Sequence, residues 1–133
     1  EPMPRGSVEE YKKLKKSSPF PIFADESIQD QLIEDQTYEQ FHGVNIKLMK
    51  AGSYQRARQQ IEKAKNLGLG TMLGCMVETT LGIAGALAIA EAVDYFDLDG
   101  FLYFKKEPFG LVTENQGKLT YRQGLPFPLN LQV

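Results

Sequence analysis

The sequence predicts an α/β fold in which short parallel strands alternate with helices. Apolar residues recur at helical spacing along the chain, and short apolar or alternating segments lie between these stretches. About four such strand–helix units in 133 residues correspond to half of an eightfold barrel, which needs about 200 residues or more. Four parallel strands alone would leave open edges and an uncovered face. The pattern therefore favours part of a (β/α)8 barrel or a chain that pairs with another, with a small open α/β sheet as the alternative.

The composition is that of an ordinary globular protein, with 42% hydrophobic and 24% charged residues and a net charge of −2. This balance excludes a disordered or fibrous chain, and it provides no basic field for nucleic acid or acidic lipid. No apolar run reaches the roughly 18 residues of a membrane span. Because the single cysteine, Cys75, cannot form an internal disulfide, we expect a reducing, cytoplasmic compartment.

The first half of the chain predicts a long helix, two strands and a short helix. The long helix runs from Ser7 to Lys16, and its first residue forms a capping-box pattern with Glu10. Phe20–Ala24 is a short apolar run typical of a buried strand, and residues 26–41 predict loops with a short helix. Val44–Leu48 alternates apolar and polar residues, which predicts the second strand.

The second half predicts the remaining units of the same alternation and then a tail rich in proline and glycine. The amphipathic stretch is followed by Gly68, which can act as a C-cap. Thr79 or Thr80 can cap the alanine- and glycine-rich helix that follows. The predicted elements are a helix at Tyr54–Leu67 followed by Gly68, a strand at Thr71–Gly74, a helix from Thr79 or Thr80 to Val93, a strand at Tyr95–Leu98, and a hairpin at Gly110–Tyr121 that turns at Asn115–Gly117.

Ionisable residues follow or close every predicted strand. Asp25 follows the first strand, Lys47 lies near the end of the second, Glu78 follows the third, and Asp97 and Asp99 close the fourth. In an α/β barrel the active site lies at the carboxyl ends of the strands, so these side chains would share one face. Each alone is more often a solvated loop residue or a helix cap. Their recurrence at equivalent places favours a common site.

Alternation along the second strand places Lys47 toward the barrel axis and its apolar neighbours against the helices. A lysine that is shielded from solvent there is suited to proton transfer. The alternative is a lysine at a strand end whose ammonium group reaches solvent. Lys50 falls just past the strand, and we expect it to be of this solvent-directed kind.

Asp97 and Asp99 are two residues apart, so their carboxylates would project from one face if the strand continues to Asp99. Two like charges favour a cation between them, either a metal or a substrate ammonium. A turn at Asp99–Gly100 is the alternative. Asp25 is a candidate ligand for Mg²⁺, since carboxylates at converging strand ends suit this ion, or else an N-cap for the segment that follows.

Four segments of the chain resemble the back half of the enolase-superfamily barrel. Within that superfamily the chain resembles the muconate-lactonizing-like branch. The Asp-x-Asp pair narrows the resemblance to the dipeptide epimerases of that branch. The resemblance covers nearly the whole chain and implies the C-terminal part of a modified (β/α)8 barrel, whose full protein also has a capping domain. The segments are Ala24–Ser27, Asn45–Gly52, Gly74–Thr79 and Asp97–Gly100.

The resemblance implies a role for each candidate residue. Asp25 matches the third of three carboxylates that hold Mg²⁺, and Lys47 matches the catalytic lysine on the sixth strand. Asp97 and Asp99 would bind the α-ammonium group of a dipeptide. The implied reaction is a Mg²⁺-dependent 1,1-proton transfer that epimerises an L,X-dipeptide through an enediolate. Glu1 matches the middle position of a Glu-Glu-Pro motif, whose first residue would be another metal ligand.

The resemblance also implies that part of the enzyme lies outside this sequence, because the other metal ligands and the first catalytic lysine have no counterpart in it. The chain also begins at Glu1 rather than at a methionine. We therefore expect a piece of a longer protein that is inactive alone. Residues 1–104 would form half of the barrel. Residues 105–133 would form a tail that packs against the barrel or the capping domain.

The expected partners are a small dipeptide substrate and the rest of the barrel with its capping domain, with no nucleic acid and no membrane, and a homo-oligomer stays open. Two other functions also stay open. One is a cycloisomerase or o-succinylbenzoate synthase of the same branch, against which the Asp pair argues because those substrates carry no ammonium group. The other is a non-catalytic fragment.

Overall fold

The computed structural model describes residues 1–122 and contains a four-stranded sheet, a two-stranded hairpin and five α-helices. Two 3₁₀ turns flank the fourth strand. The helices are α1 (Val8–Ser17), α2 (Thr37–Gln40), α3 (Leu48–Ala51), α4 (Tyr54–Asn66) and α5 (Thr80–Leu87), the strands are β1 (Phe23–Ala24), β2 (Gly43–Lys47), β3 (Gly70–Gly74), β4 (Tyr95–Asp97), β5 (Val112–Asn115) and β6 (Lys118–Tyr121), and the 3₁₀ turns are Ala90–Ala92 and Gly100–Tyr103.

The larger sheet has the order β1-β2-β3-β4, and every neighbouring pair in it is parallel. Sequential parallel strands joined by helical crossovers confirm the predicted α/β architecture. All four carboxyl ends therefore lie at one edge of the sheet. None of the helices in residues 1–122 is both long enough and apolar enough to cross a membrane.

One face of the sheet carries the hydrophobic core. Val44, Ile46 and Leu73 are fully buried on this face. They pack with one stripe of α4, which contacts both β2 and β3. Burial of such side chains contributes about 1.5–3 kcal/mol each to folding. The α4 residues of this core are Ala57, Ile61 and Ala64.

The opposite, inner face is strongly concave. Phe23 on β1 and Tyr95 on β4 belong to the two outer strands, yet their ring centroids are 5.6 Å apart at an interplanar angle of 86°. A flat four-stranded sheet would separate its outer strands by about 14 Å. The sheet therefore curves round as a barrel wall does, and the aromatic pair lies at the amino-terminal end of its inner face.

Gly43 on β2 makes room for the Phe23 ring, and we predict that Gly43→Ala destabilises the fold. An added Cβ would lie 2.6 Å from the Gly70 carbonyl oxygen and would overlap the Phe23 ring. Overpacking of this kind costs about 1–3 kcal/mol of unfolding free energy, measurable by urea denaturation. Gly70→Ala on the neighbouring strand is the control, because its Cβ would make only ordinary van der Waals contacts, at 3.4 Å from the Phe23 ring and 3.6 Å from the His42 carbonyl oxygen. Equal losses in the two variants would contradict the tight packing.

Several predicted boundaries differ from those of the structure, and three of the differences have a clear cause or consequence. The first strand pairs only at Phe23–Ala24 because Pro21 interrupts the run and has no N–H to donate to a ladder. The second strand ends at Lys47, and Leu48 already begins α3. The long apolar helix ends at Leu87, where i→i+3 bonds tighten the chain into a 3₁₀ turn.

The helix caps agree with the sequence in part. The predicted capping box at Ser7 is wrong, because the Ser7 side chain makes no cap hydrogen bond. The predicted C-cap glycine, Gly68, has a φ of +71° just beyond α4 and is confirmed. Ser53 caps the other end of α4, where its Oγ accepts a hydrogen bond of 3.1 Å from the Arg56 N–H.

The predicted hairpin is confirmed. β5 and β6 pair antiparallel, and the turn residues Gln116 and Gly117 both have positive φ. The segment before the hairpin fastens it to α5, because the Glu107 carboxylate accepts a hydrogen bond of 3.0 Å from the Thr80 N–H and the Leu111 N–H donates to Thr80 Oγ1 at 2.9 Å. The part of the expected tail at residues 123–133 lies outside the described residues.

Asp94 joins the start of β4 to β3, and we predict that it makes folding stability depend on pH. Its Oδ2 accepts hydrogen bonds of 2.8 Å from both the N–H and the hydroxyl of Thr71, and these bonds hold the pKa of Asp94 below its ordinary value. Because the folded-state pKa is lowered, the ionised carboxylate stabilises the fold above the unfolded-state pKa of about 4. This stabilisation is lost as the pH falls through the folded-state pKa. At pH 7, Asp94→Asn should lower Tm by roughly 2–5 °C.

The check is a pair of thermal melts across pH. The Tm difference between wild type and Asp94→Asn should shrink as the pH drops from 6 toward 2. Asp35→Asn is the control, because its carboxylate is 81% exposed and pairs with Lys63 at the surface. A Tm difference at Asp94 that does not change with pH would show that its charge does not matter.

Candidate functional site

The carboxyl edge of the sheet gathers most of the ionisable residues that the sequence singled out. Asp25 follows β1, Lys47 ends β2 and Asp97 ends β4. In the β2–β3–β4 register Lys47 is paired with Gly74, and Gly74 with Asp97. Lys47 and Asp97 thus lie in one row with a glycine between them, about 10 Å apart at the backbone.

The Asp25 carboxylate is the centre of this cluster. Lys47 Nζ lies 2.8 Å from its Oδ2, and Asn45 Nδ2 donates to the same oxygen at 3.1 Å. Lys50 Nζ contacts the other oxygen, Oδ1, and donates to the Asp25 backbone carbonyl at 2.7 Å. The alternative reading of Asp25 as an N-cap is therefore wrong, since its carboxylate accepts from side chains.

Lys50 corrects the sequence-based expectation that it would reach solvent. Its side chain is only 15% exposed and is bound to Asp25. The reason is the early end of β2: since α3 begins at Leu48, Lys50 lies one helical turn beyond Lys47, and residues at this spacing share a face. Lys47 lies on the inner face, as alternation predicts, with a side chain 14% exposed.

The two lysines determine the charge state of Asp25. Partial burial raises the pKa of the carboxyl group, but the hydrogen bonds and charges of Lys47 and Lys50 more than offset this, so the pKa of Asp25 lies below its ordinary value. The group is therefore an ionised carboxylate at neutral pH, which is the form that ligates a hard cation.

Asn45 supplies a buried polar atom whose place in the cluster depends on a neighbouring glycine. It is 6% exposed, and within the described part of the chain its Oδ1 has no hydrogen-bond partner. A Cβ added at Gly74 would overlap the Asn45 amide. The absence of a side chain at Gly74 therefore leaves the space that the Asn45 amide occupies when it donates to Asp25.

Glu1 holds the chain segment that follows β1. Its carboxylate accepts hydrogen bonds from the Asp25 N–H at 2.8 Å, the Ser27 N–H at 3.0 Å and the Ser27 hydroxyl at 2.6 Å. The segment that carries Glu1 is anchored in turn, because the Met3 N–H donates to the hydroxyl of the buried Tyr11 at 2.9 Å. The sequence patterns did not indicate this role, since no spacing rule links Glu1 to residues 25–27.

Asp97 and Asp99 lie at the same edge, but not as a strand pair. β4 ends at Asp97, and Asp99 has helical φ/ψ angles at the start of a 3₁₀ turn, where its carbonyl accepts from the Leu102 N–H. The strand predicted at Tyr95–Leu98 ends one residue early, so the condition that it continues to Asp99 is not met, and the turn interpretation describes the Asp99 backbone. Both residues are exposed, and neither carboxylate has an ion-pair partner within residues 1–122.

The loop that carries Asp99 is held against the loop after β3. The buried Gly100 donates its N–H to the Cys75 thiol at 3.4 Å, and an added Cβ would overlap the Met76 carbonyl oxygen. Burial raises the pKa of the Cys75 thiol, and the nearby carboxylates of Asp97 and Asp99 contribute in the same direction. Cys75 is therefore protonated at neutral pH and supports the loop contact without reacting.

Asp25 fits a hard-metal site as one ligand. Its ionised oxygens suit Mg²⁺, and it lies at the carboxyl edge of the sheet, where donors from other strands would converge. Within residues 1–122, no group of three or more His, Cys, Asp or Glu side chains could hold a metal ion. A complete site would therefore need oxygen ligands from outside these residues.

Comparisons with known proteins give one consistent result. No family model matches the chain. The L-Ala-D/L-amino acid epimerase of Pedosphaera parvula is 40% identical in an alignment that covers 100% of this chain and 38% of the epimerase. An enolase family member from Agrobacterium tumefaciens with homology to dipeptide epimerases, solved with sodium and L-Ala-L-Glu, superimposes with a TM-score of 0.78 at 30% identity, covering 90% of this chain and 36% of that one.

A third comparison has the same extent. The dipeptide epimerase of Methylococcus capsulatus, solved with Mg and the dipeptide L-Arg-D-Lys, superimposes with a TM-score of 0.73 at 32% identity, covering 91% of this chain and 37% of that one. The chain thus spans a little over a third of the length of these relatives. The part it matches is their C-terminal barrel segment.

Proposed function

Because this chain belongs to the enolase superfamily, as a C-terminal part of the (β/α)8 barrel most similar to that of its dipeptide epimerases, we propose that it contributes to a Mg²⁺-dependent dipeptide epimerase. The complete enzyme would invert the α-carbon of the C-terminal residue of an L,X-dipeptide. The observation that carries this proposal is the contact of Lys47 with Asp25, which places an amine for proton transfer 2.8 Å from a carboxylate suited to a metal.

Each proposed role follows from the chemistry of the side chain. Asp25 is the metal ligand, and a bound Mg²⁺ would stabilise the negative charge that develops when the α-proton leaves. Lys47 is the acid–base group on one face of the substrate, since it is shielded and lies on the inner face of the sheet. The base on the other face would come from outside this chain.

Asp97 and Asp99 are proposed to bind the α-ammonium group of the dipeptide. Asp97 shares a row with Lys47 across Gly74, and the Gly100–Cys75 contact holds the loop of Asp99 at the same edge. Two exposed carboxylates with no cation beside them in the described residues would attract an ammonium group. This feature argues against a cycloisomerase or succinylbenzoate synthase, whose substrates lack that charge.

We further propose that residues 1–104 complete a barrel with a preceding part of the protein. The outer strands β1 and β4 each have an unpaired edge within the described residues, as a barrel segment would. Residues 105–133 are proposed to form a tail that packs against the barrel or the capping domain. Within the described part of this tail, the contacts of Glu107 and Leu111 with Thr80 support packing against the barrel. The lone cysteine supports a cytoplasmic location.

The test uses a polypeptide of the relatives' length that ends in this chain. It is incubated with Mg²⁺ and a panel of L,L-dipeptides, and the L,D-diastereomer is sought by chiral chromatography. Formation of the L,D product from at least one dipeptide is expected, and chelation of Mg²⁺ with EDTA should abolish it. Conversion of a muconate or a succinylbenzoate precursor without any epimerisation would overturn the proposal.

The 133-residue chain alone is predicted to be inactive in the same assay. It offers one metal ligand and one proton-transfer lysine, and the loss of even one acid–base partner costs about 10²–10⁴ in rate. Turnover by the purified chain above the level of an Asp25→Asn, Lys47→Ala double variant would contradict this prediction.

A further inference from the structure

We propose that Lys50 is a positioning residue that fixes the orientation of the Asp25 carboxylate; this inference rests on the proposed role of Asp25 as a metal ligand. Lys50 Nζ touches Asp25 twice, at carboxylate Oδ1 and at the backbone carbonyl, 2.7 Å away. A single ammonium group therefore fixes both ends of the same residue. This geometry opposes rotation of the carboxylate about its side-chain bonds.

The turn that carries Lys50 is itself held in place. α3 starts directly after β2, and Gly52, with a φ of +78°, ends it after one turn. The following Ser53 caps α4 through its hydrogen bond to the Arg56 N–H. The rest of the lysine is packed as well, since its side chain is 15% exposed, whereas the adjacent Met49 is 58% exposed. The ammonium group is thus delivered to Asp25 by a fixed backbone.

The contacts divide the two carboxylate oxygens between different partners. Oδ1 belongs to Lys50, whereas Oδ2 faces Lys47 and Asn45. Lys50 also partly neutralises Asp25 from the side away from Lys47. The carboxylate therefore keeps its orientation and an ionic partner even when Lys47 acts on a substrate. Groups that orient a metal ligand in this way typically change metal affinity or activity by 10–100-fold when removed.

The test compares three variants of the epimerase-length polypeptide. Lys50→Met removes the charge but keeps the length of the stem, Lys50→Arg keeps a donor, and Lys63→Met is the matched control, because Lys63 pairs with the surface carboxylate of Asp35 at 2.5 Å. The readouts are the Mg²⁺ Kd from calorimetry without substrate, the kcat and KM for epimerisation, and Tm.

We expect Lys50→Met to weaken Mg²⁺ binding by about 10–100-fold, Lys50→Arg to restore much of that loss, and Lys63→Met to leave the Mg²⁺ Kd unchanged. A lower Tm for Lys50→Met with unchanged Mg²⁺ Kd and kcat would overturn the inference and leave a purely structural lysine. If Lys50→Met does not fold, Lys50→Ala, which has no donor and the highest helix propensity, takes its place with the same expected outcome. A wild type that binds no Mg²⁺ and epimerises nothing would overturn the proposed function, and this inference with it.

Discussion

In the epimerase-length polypeptide, Lys47→Ala is expected to lower kcat by at least about 10²–10⁴-fold while the Mg²⁺ Kd stays within a few-fold of wild type. In the proposed mechanism the lysine moves the proton, whereas Asp25 holds the metal. Removal of Lys47 still leaves Asp25 bound by Lys50 at Oδ1 and by Asn45 at Oδ2. Steady-state kinetics and calorimetry on the same preparation measure the two quantities.

The comparison with Lys50 makes this prediction specific. Both lysines contact Asp25 and both are mostly shielded, at 14% and 15% exposure of their side chains. Loss of Lys47 should act on the chemical step, and loss of Lys50 should act on Mg²⁺ affinity. Wild-type turnover by Lys47→Ala would remove Lys47 from the mechanism. A Mg²⁺ Kd that rises as far in Lys47→Ala as in Lys50→Met would show that the two lysines share one structural task.

Replacing both Asp97 and Asp99 with asparagine is expected to raise KM for free dipeptides by about 10²-fold or more. Both carboxylates are exposed in this chain, and a dipeptide bound in the complete enzyme would shield them from solvent. Breaking one side of a desolvated charge pair costs about 3–5 kcal/mol, which corresponds to about 10²-fold or more. N-acetylated dipeptides carry no ammonium group, so their KM should change far less. Kinetics with matched free and acetylated substrates measure this difference.

The same double variant separates the three readings of the pair. If the pair binds a metal, the double variant should bind Mg²⁺ more weakly and should turn over free and acetylated substrates equally poorly. If the pair only forms a turn, the double variant should have a slightly lower Tm and unchanged KM values for both substrates. Asp94→Asn is a useful control, because that carboxylate lies at the opposite end of the fourth strand and is bound to Thr71. It should affect stability and not the choice between the two substrates.

Much of the fold could be predicted because it depends on local patterns. Alternation within Val44–Lys47 placed the lysine on the inner face, and helical periodicity located α4 to within a residue. The Gly117 hairpin turn followed from residues that tolerate positive φ. Each of these features is encoded within a few neighbouring positions.

The missed features depend on residues far apart in sequence. Glu1 binds the segment at residues 25–27, and Glu107 caps the helix that starts at Thr80. No spacing rule connects such pairs, since only the folded topology brings them together. Glu107 accepts from a backbone N–H group at the start of α5, where a threonine was expected to cap the helix. Glu1 accepts from backbone N–H groups that had no predicted partner.

The error at Lys50 has a different origin. A one-residue difference in where β2 ends decides whether Lys50 continues a strand or lies on a helical turn, and the two cases point its side chain in different directions. Element boundaries are the least certain part of a pattern-based prediction. The composition of the site edge was therefore predictable, whereas the pairing of Lys50 with Asp25 was not.

The most direct test of the account is the exchange of the dipeptide α-proton in deuterated buffer, followed by proton NMR in the presence of Mg²⁺. The wild-type polypeptide should exchange the C-terminal α-proton of both the L,L and the L,D diastereomer, because the proposed mechanism has one base on each face. Lys47→Ala should exchange the proton of at most one diastereomer, through the base that this chain does not supply. Exchange from both diastereomers at wild-type rates in Lys47→Ala would contradict the central claim that Lys47, beside Asp25, transfers the proton.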